Sequence, residues 1–339
     1  MRQSTPELSI LITAHRSGPM LDTCLESASA LVPAPREVIV AVDGPCDAAI
    51  EAAKMRSFNV VTLPGAPGVS AARNAGANAA GGEIMVFVDS DVKLPADFVS
   101  RATQAWADNP DAAAIIGSYD ASPAAAGLVS RYRNLLHHYT HQHAAREAQT
   151  FWAGCGAIRR EVFLEAGGFD ENYKVPSVED IELGYRLRKA GHSIRLVPSW
   201  QVKHLKRWRL RDLLMTDIFR RAAPWTRLLR REERLDNDLN ITHAARLSAL
   251  LVCLAAAAFA AGLAWPSAFV ASAAGLSIAT ALNWRFYRFL AARGGWLFAA
   301  ACLPLHWLYF LGAAAGFALG TSQHLAGVKN RNTVADTAG

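Results

Sequence analysis

The chain has 339 residues, enough for one large α/β domain with an appendage or for two domains. Hydrophobic residues make up 52% of it and charged residues 19%. A soluble domain carries about 25% charged residues, so some segment must be nearly free of charge. The net charge of +6 is uneven, because Lys203 to Arg234 holds eleven Lys/Arg against four Asp/Glu, a local excess of seven. The five cysteines, Cys24, Cys46, Cys155, Cys253 and Cys302, are scattered and odd in number, which argues against a disulfide framework or a structural zinc site.

From the start, Met1 to Glu7 is polar and carries no signal-peptide pattern, so the first domain is expected to stay in the cytoplasm. Short apolar runs then alternate with helical stretches. Leu8–Ala14 reads as a buried strand, Met20–Leu31 as a helix, Glu37–Asp43 as a second strand and Val60–Leu63 as a third. Ser70–Ala80 is a small-residue helix, and Ile84–Asp89 is a fourth strand. This alternation predicts a mainly parallel sheet covered by helices on both faces. Ligands of such sheets sit beyond the carboxyl ends of the strands, which is where Asp43 and Asp89 fall.

Residues 121–150 form a helical, His-rich linker containing His137, His138, His141 and His143. These histidines have no metal-ligand spacing and read as solvated or structural. Val178–Ala190 has a strong helical pattern stopped by Gly191, and Ile194–Val197 is a strand ended by Pro198.

The composition then shifts. Arg207–Arg234 mixes arginines with Trp208, Leu213, Phe219, Trp225 and Leu228, the composition of a helix lying in a membrane interface. Leu247–Trp284 contains no charged residue over 38 positions, and Gly294–Val328 is a second charge-free run that allows one tilted crossing or a re-entrant hairpin. A bilayer core takes about 20 helical residues. The expected spans are 247–264, 267–284 and 296–319, with Trp265-Pro266-Ser267 as a turn. The basic run beside the first span places residues 1–245 in the cytoplasm by the positive-inside rule. A nucleic-acid surface explains that run less well than the adjoining apolar segments do.

Several short features carry chemistry. Asp89-Ser90-Asp91 closes an apolar strand, so one carboxylate can accept from a ribose hydroxyl while the other holds a hard divalent ion. Upstream, Arg73 can neutralise a diphosphate, within Gly68-Val-Ser-Ala-Ala-Arg73-Asn74-Ala-Gly76. Glu179-Asp180 opens a helix, which suits either a plain cap or a general base that takes the proton of an attacking hydroxyl. Trp152-Ala-Gly154-Cys-Gly156 offers an aromatic face to a sugar ring. His204, after the last strand, is a possible metal ligand or phosphate contact.

In this order and spacing, the series resembles the family 2 glycosyltransferases of GT-A fold over roughly residues 8–205. It runs Ser9–Ile12, Val40-Ala-Val-Asp43-Gly44, Ala72-Arg73-Asn74-Ala-Gly76, Asp89-Ser-Asp91, Gly154-Cys-Gly156, Gly167–Glu171 and Glu179–Arg186. The resemblance implies a nucleotide-diphosphate sugar as donor, Mg2+ or Mn2+ as cofactor, and one inverting displacement. Asp43 would contact the base or ribose, Asp89 the ribose, Asp91 the metal, and Asp180 would be the catalytic base. Trp152, Gly154 and Glu179 would lie on the acceptor side, and His204 with Asp91 at the metal. Two departures touch the base pocket: Thr13-Ala14-His15-Arg16 replaces the family's Pro-x-Tyr-Asn, and Val42 stands before Asp43. Lys206-Arg207-Trp208 lacks the Gln-x-x-Arg-Trp pattern of processive members, which favours transfer of one sugar.

The expected organisation is a cytosolic GT-A domain at 1–205, a basic interfacial segment at 206–245, transmembrane helices within 246–328 and a polar tail at 329–339. The expected protein is a multi-pass enzyme of the inner (plasma) membrane, using a lipid-linked or membrane-proximal acceptor and no nucleic acid. The competing readings are a nucleotidyltransferase on a related sheet and a non-catalytic membrane scaffold.

Overall fold

The computed structural model describes residues 6–233 and 239–327. Arg234 and the tail expected at 329–339 lie outside the described residues. The chain divides into two compact units.

The first unit, within the described residues 6–124 and 144–206, is built on one eight-stranded sheet. In chain order it contains β1 (Leu8–Ala14), α1 (Pro19–Ser29), β2 (Glu37–Asp43), α2 (Asp47–Lys54), β3 (Asn59–Leu63), α3 (Val69–Ala79) and β4 (Ile84–Asp89). There follow β5 (Val92–Lys93), α4 (Phe98–Asp108) and β6 (Ala114–Tyr119). After α5 (Leu128–His143), which belongs to the second unit, come β7 (Cys155–Arg159), α6 (Arg160–Glu165), α7 (Glu179–Lys189) and β8 (Ile194–His204). The strand order is β3-β2-β1-β4-β7-β6-β8-β5.

Strand side chains alternate between faces, and both faces here are covered. Ile10, Ile12, Val40 and Val86 pack with Leu25 of α1, Ala53 of α2 and Phe98 of α4. Leu11, Ile39, Met85 and Phe87 pack with Ala77 of α3, Phe163 of α6 and Leu183 of α7. The near-continuous apolar strands β1, β2 and β4 are therefore buried on both sides, while β3, at the sheet edge, is partly exposed.

The sheet is less parallel than expected. β1 to β4 run parallel, but β7 lies antiparallel between β4 and β6, and β5 is antiparallel to β8. β7 pairs Cys155 with Val88, one residue before Asp89. Its reversed direction brings the loop Trp152–Gly154 to the sheet edge where β4 ends.

β8 also departs from expectation, since it continues through Pro198 to His204. Leu196 faces Ile116 and Gln201 faces Ser118, so the residues between them form a bulge opposite Gly117. A bulge leaves residues outside the ladder, and the missing N–H of Pro198 breaks no pairing there. A Cβ on Gly117 would lie 2.3 Å from the Trp200 carbonyl oxygen, so the bulge needs glycine at that point. Beyond it, Val202 pairs with Tyr119, and His204 with Val92 of β5.

The second unit, within the described residues 125–143, 207–233 and 239–327, is helical. α8 (Leu210–Met215), a π-helical segment (Thr216–Ala222) and α9 (Ala223–Arg231) form one continuous run. Pro224 has no N–H for the preceding turn, and the widened turn stands just before it. Asp217 in that turn forms an ion pair with Arg133 of α5 at 2.9 Å, with both side chains buried. α10 (His243–Gly262), α11 (Ala268–Leu282) and α12 (Trp284–Leu325) follow. Gly316 and Gly320 of α12 face Ala222 and Ala223, where a side chain would collide. Small residues one turn apart allow such close helix approach.

α10 and α12 are long and apolar enough to cross a membrane. α10 exposes Leu247, Leu250, Leu254 and Phe259. The segment expected as a span at 267–284 is a 15-residue helix, roughly 22 Å long against a hydrocarbon core of about 30 Å. α12 is broken at Gly295 (φ 81°), so residues 284–294 and 296–325 are separate helical pieces. The span expected at 296–319 falls in the second piece.

Candidate active site

Parallel pairing of β2 and β4 with β1 puts the C-terminal ends of β2 and β4 on one edge of the sheet. Asp43 ends β2 and is nearly buried. Its Oδ1 accepts the Gly68 amide at 3.0 Å, and its Oδ2 lies 3.6 Å from Nδ1 of His15, an exposed ring on the loop after β1. That nitrogen is also 2.9 Å from the Asp43 carbonyl oxygen.

Arg73, on α3, is the buried centre of the site. Its Nη2 donates to Asp89 Oδ1 at 2.9 Å and its Nη1 to Glu179 Oε1 at 2.7 Å. The guanidinium carbon lies 5.3 Å from the centre of the Phe169 ring. Only 5% of the Arg73 side chain and 4% of the Glu179 side chain reach solvent, against 35% for Asp89. Burial disfavours the charge on Arg73, but Asp89, Glu179 and Asp180 outweigh it and hold the guanidinium pKa above its ordinary value. Arg73, expected at a diphosphate, thus has both terminal nitrogens engaged with carboxylates. Glu179, expected on the acceptor side, is buried against Arg73, and its Oε2 accepts the Ser177 amide at 2.7 Å.

Asp180 is the second residue of α7. Its Oδ2 accepts the Ala153 amide at 3.2 Å, and its Oδ1 accepts the Ile181 amide at 2.8 Å. Ala153 lies two residues before Cys155, the partner of Val88, so this carboxylate stands beside the end of β4. Burial, and then the charge of Glu179, push its pKa up to about 7, against the lowering effect of Arg73 and the Ala153 amide. Burial also raises Asp89, only partly offset by Arg73.

Asp91 and His204 come together from opposite ends of the unit. The Leu205 amide donates to the Asp91 carbonyl oxygen at 2.8 Å, and His204 Nε2 lies 3.4 Å from Asp91 Oδ2. Burial raises Asp91, but hydrogen bonding with His204 and the nearby charge of Lys206 outweigh it, leaving the carboxyl below its usual range. Among the described residues no cluster of three or more His, Cys, Asp or Glu side chains could hold a metal ion. One carboxylate oxygen and one imidazole nitrogen nevertheless suit Mn2+ or Mg2+ when a diphosphate and water fill the other positions.

Residues 9–167 match the family model described as Glycosyl transferase family 2. These residues form a family 2 glycosyltransferase domain. The N-acetylglucosaminyl-diphospho-decaprenol L-rhamnosyltransferase of Mycobacterium tuberculosis is 27% identical over 250 residues, covering 60% of this chain and 77% of that one. The uncharacterized glycosyltransferase YibD of Escherichia coli is 35% identical over 118 residues, 33% of this chain and 34% of its own length. The match thus spans about a third of YibD. A mannosyltransferase from Pyrobaculum calidifontis, solved with GDP-Man and Mn2+, has the same fold with a TM-score of 0.56. It is 19% identical, and the match covers 96% of this chain and 88% of that one.

The glycosyltransferase domain also contains a site residue that no sequence pattern marks. The Tyr119 ring stacks on His204 with centroids 4.3 Å apart and planes at 13°, and it meets the Trp152 ring edge-on at 4.9 Å. Gly154 leaves room for the Trp152 ring, since a Cβ there would lie 2.7 Å from it. No local pattern marks Tyr119; its place depends on the β6–β8 pairing after the bulge.

Proposed function

We propose that this protein is an inverting glycosyltransferase that moves one sugar from a nucleotide-diphosphate sugar to a hydroxyl of a lipid-linked or membrane-proximal acceptor. The reading rests above all on Arg73. One guanidinium holds the acidic end of β4 and the acidic start of α7, so donor-binding carboxylates and a raised-pKa carboxylate share one neighbourhood. The Pyrobaculum mannosyltransferase, with GDP-Man and Mn2+ on the same fold, supports the donor class.

In this reading Asp43 and Asp89 accept from the nucleoside, while Asp91 and His204 would hold Mg2+ or Mn2+. The ion supplies positive charge against the departing nucleoside diphosphate. Asp180 takes the acceptor proton as the acceptor oxygen bonds to the anomeric carbon and the bond from that carbon to the phosphate oxygen breaks. A base that titrates near neutral pH suits that transfer. Arg73 and Glu179 are positioning residues, aligning Asp89 and Asp180 without touching the sugars. Trp152 offers its ring to the acceptor. A buried carboxylate with a raised pKa costs stability when charged, which a non-catalytic scaffold gains nothing by keeping.

The apolar helices α10 and α12 support attachment to a membrane, and the basic run before α10 favours the inner membrane with the catalytic domain on the cytoplasmic side. The domain arrangement proposed is catalytic at 1–205, interfacial at 206–245 and membrane-embedded at 246–328. The test incubates protein-containing membranes with labelled UDP-, GDP- and dTDP-sugars and Mn2+. Label entering the lipid fraction from one donor, and lost on chelation, is the expected result. Hydrolysis of every donor with no label in lipid would refute the lipid-linked acceptor.

A further inference from the structure

From the aromatic stack beside Asp91, we infer that Tyr119 is a positioning residue that sets the plane of His204 for a divalent cation. The inference rests on the reading of Asp91 and His204 as the cation's ligands. An imidazole donates along the plane of its ring, so the ring's rotation decides where Nε2 points. In known metal sites that rotation is fixed by a hydrogen bond to the other ring nitrogen. A face-to-face contact at 4.3 Å and 13° adds a further constraint here.

Three features make the contact rigid. Tyr119 is 9% exposed and His204 8%. The Tyr119 backbone is paired with Val202, two residues before His204, so both rings project from adjacent strands. The Trp152 ring, edge-on to Tyr119, completes the bracket. A swing of the His204 ring toward the Tyr119 side must first displace Tyr119. The same bracket links the side chain proposed for the acceptor, Trp152, to the one proposed for the cation.

The test measures Mn2+ binding by the intensity of free Mn2+ in electron paramagnetic resonance. The detergent-solubilised full chain is titrated with UDP, GDP and dTDP in separate runs. Tyr119→Phe keeps the ring and is expected to bind as wild type does. Tyr119→Leu is expected to weaken binding by about tenfold, the low end of what loss of an orienting partner costs a metal site. The nitrogen coupling of the bound Mn2+ should weaken with it, a signature that a merely structural role would leave intact. His204→Ala is the reference for complete loss of that ligand. Wild-type affinity and nitrogen coupling in Tyr119→Leu, with weak binding in His204→Ala, would overturn the role of Tyr119 alone. Equal binding by wild type and His204→Ala, or none by either with any nucleotide, would overturn the cation reading beneath it. If Tyr119→Leu fails to fold, Trp152→Leu removes the backing ring, with a smaller loss in the same direction expected and no change counting against the inference.

Discussion

The amide of Ala153 donates to Asp180 Oδ2 at 3.2 Å. That bond joins the first turn of α7 to the loop before β7, and so to the strand end carrying Asp89. It stabilises the charged carboxylate, yet burial and Glu179 together leave Asp180 titrating at about 7.

The first consequence is a pH profile. Asp180 works as a base only when deprotonated, so kcat should rise as pH increases through about 7 and level off above it. A profile of kcat at saturating donor and acceptor checks this. A flat profile from pH 5.5 to 8.5 would mean that another group takes the proton.

The same carboxylate should destabilise the fold at alkaline pH. An unfolded aspartate titrates at about 3.9, below the folded value of about 7. Between these values the folded state binds more protons, so this group's contribution falls as pH rises and stays unfavourable above the folded value. Asp180→Asn should melt higher than wild type at pH 8.5 and close to it at pH 4.5, as read by thermal unfolding in detergent.

Removing Arg73 should cost much more. Arg73→Leu leaves the buried Glu179 carboxylate without its counter-charge, a loss of about 3–5 kcal/mol. Arg73→Lys should lose part of this, because one ammonium cannot span two carboxylates as the planar guanidinium does. The Arg73→Leu/Glu179→Leu double variant should lose less than the two single losses combined. Chemical denaturation of wild type, Arg73→Leu, Glu179→Leu and the double variant measures the coupling.

Gly117→Ala tests the bulge. The added carbon would meet the Trp200 carbonyl oxygen at 2.3 Å and Cys155 Sγ at 2.8 Å. The strands must shift, at about 1–3 kcal/mol, and His204 lies at the far end of the shifted strand. Weaker Mn2+ binding together with lower stability is expected, measured by titration and melting on one preparation.

Much of this was legible in the chain. β1, β2 and β4 were readable because both faces are buried, which leaves uninterrupted runs such as Val38–Val42 and Ile84–Val88. The acidic ends at Asp43, Asp89 and Asp180 stood out because a carboxylate after such a run, or at a helix start, is conspicuous. The continuation of β8 was not readable, since Pro198 signals an end and only the opposing Gly117 reveals a bulge. Nor was the pairing of Arg73 with Glu179, 106 residues apart in sequence. Their contact is set by how α3 and α7 meet the same face of the sheet. Tyr119 carries no sequence signal for the same reason: its partner is 85 positions away and reached only through the strand pairing.

The most direct test follows release of nucleoside diphosphate from UDP-, GDP- and dTDP-sugars, with Mn2+ and protein-free membrane lipid as acceptor source. Wild type and Asp180→Asn are compared. Wild type should consume one donor class, and Asp180→Asn should bind that donor equally well while its turnover falls by about 10²–10⁴-fold. Turnover by Asp180→Asn at the wild-type rate would contradict the assignment of the base. Consumption of no donor by wild type would contradict glycosyl transfer itself.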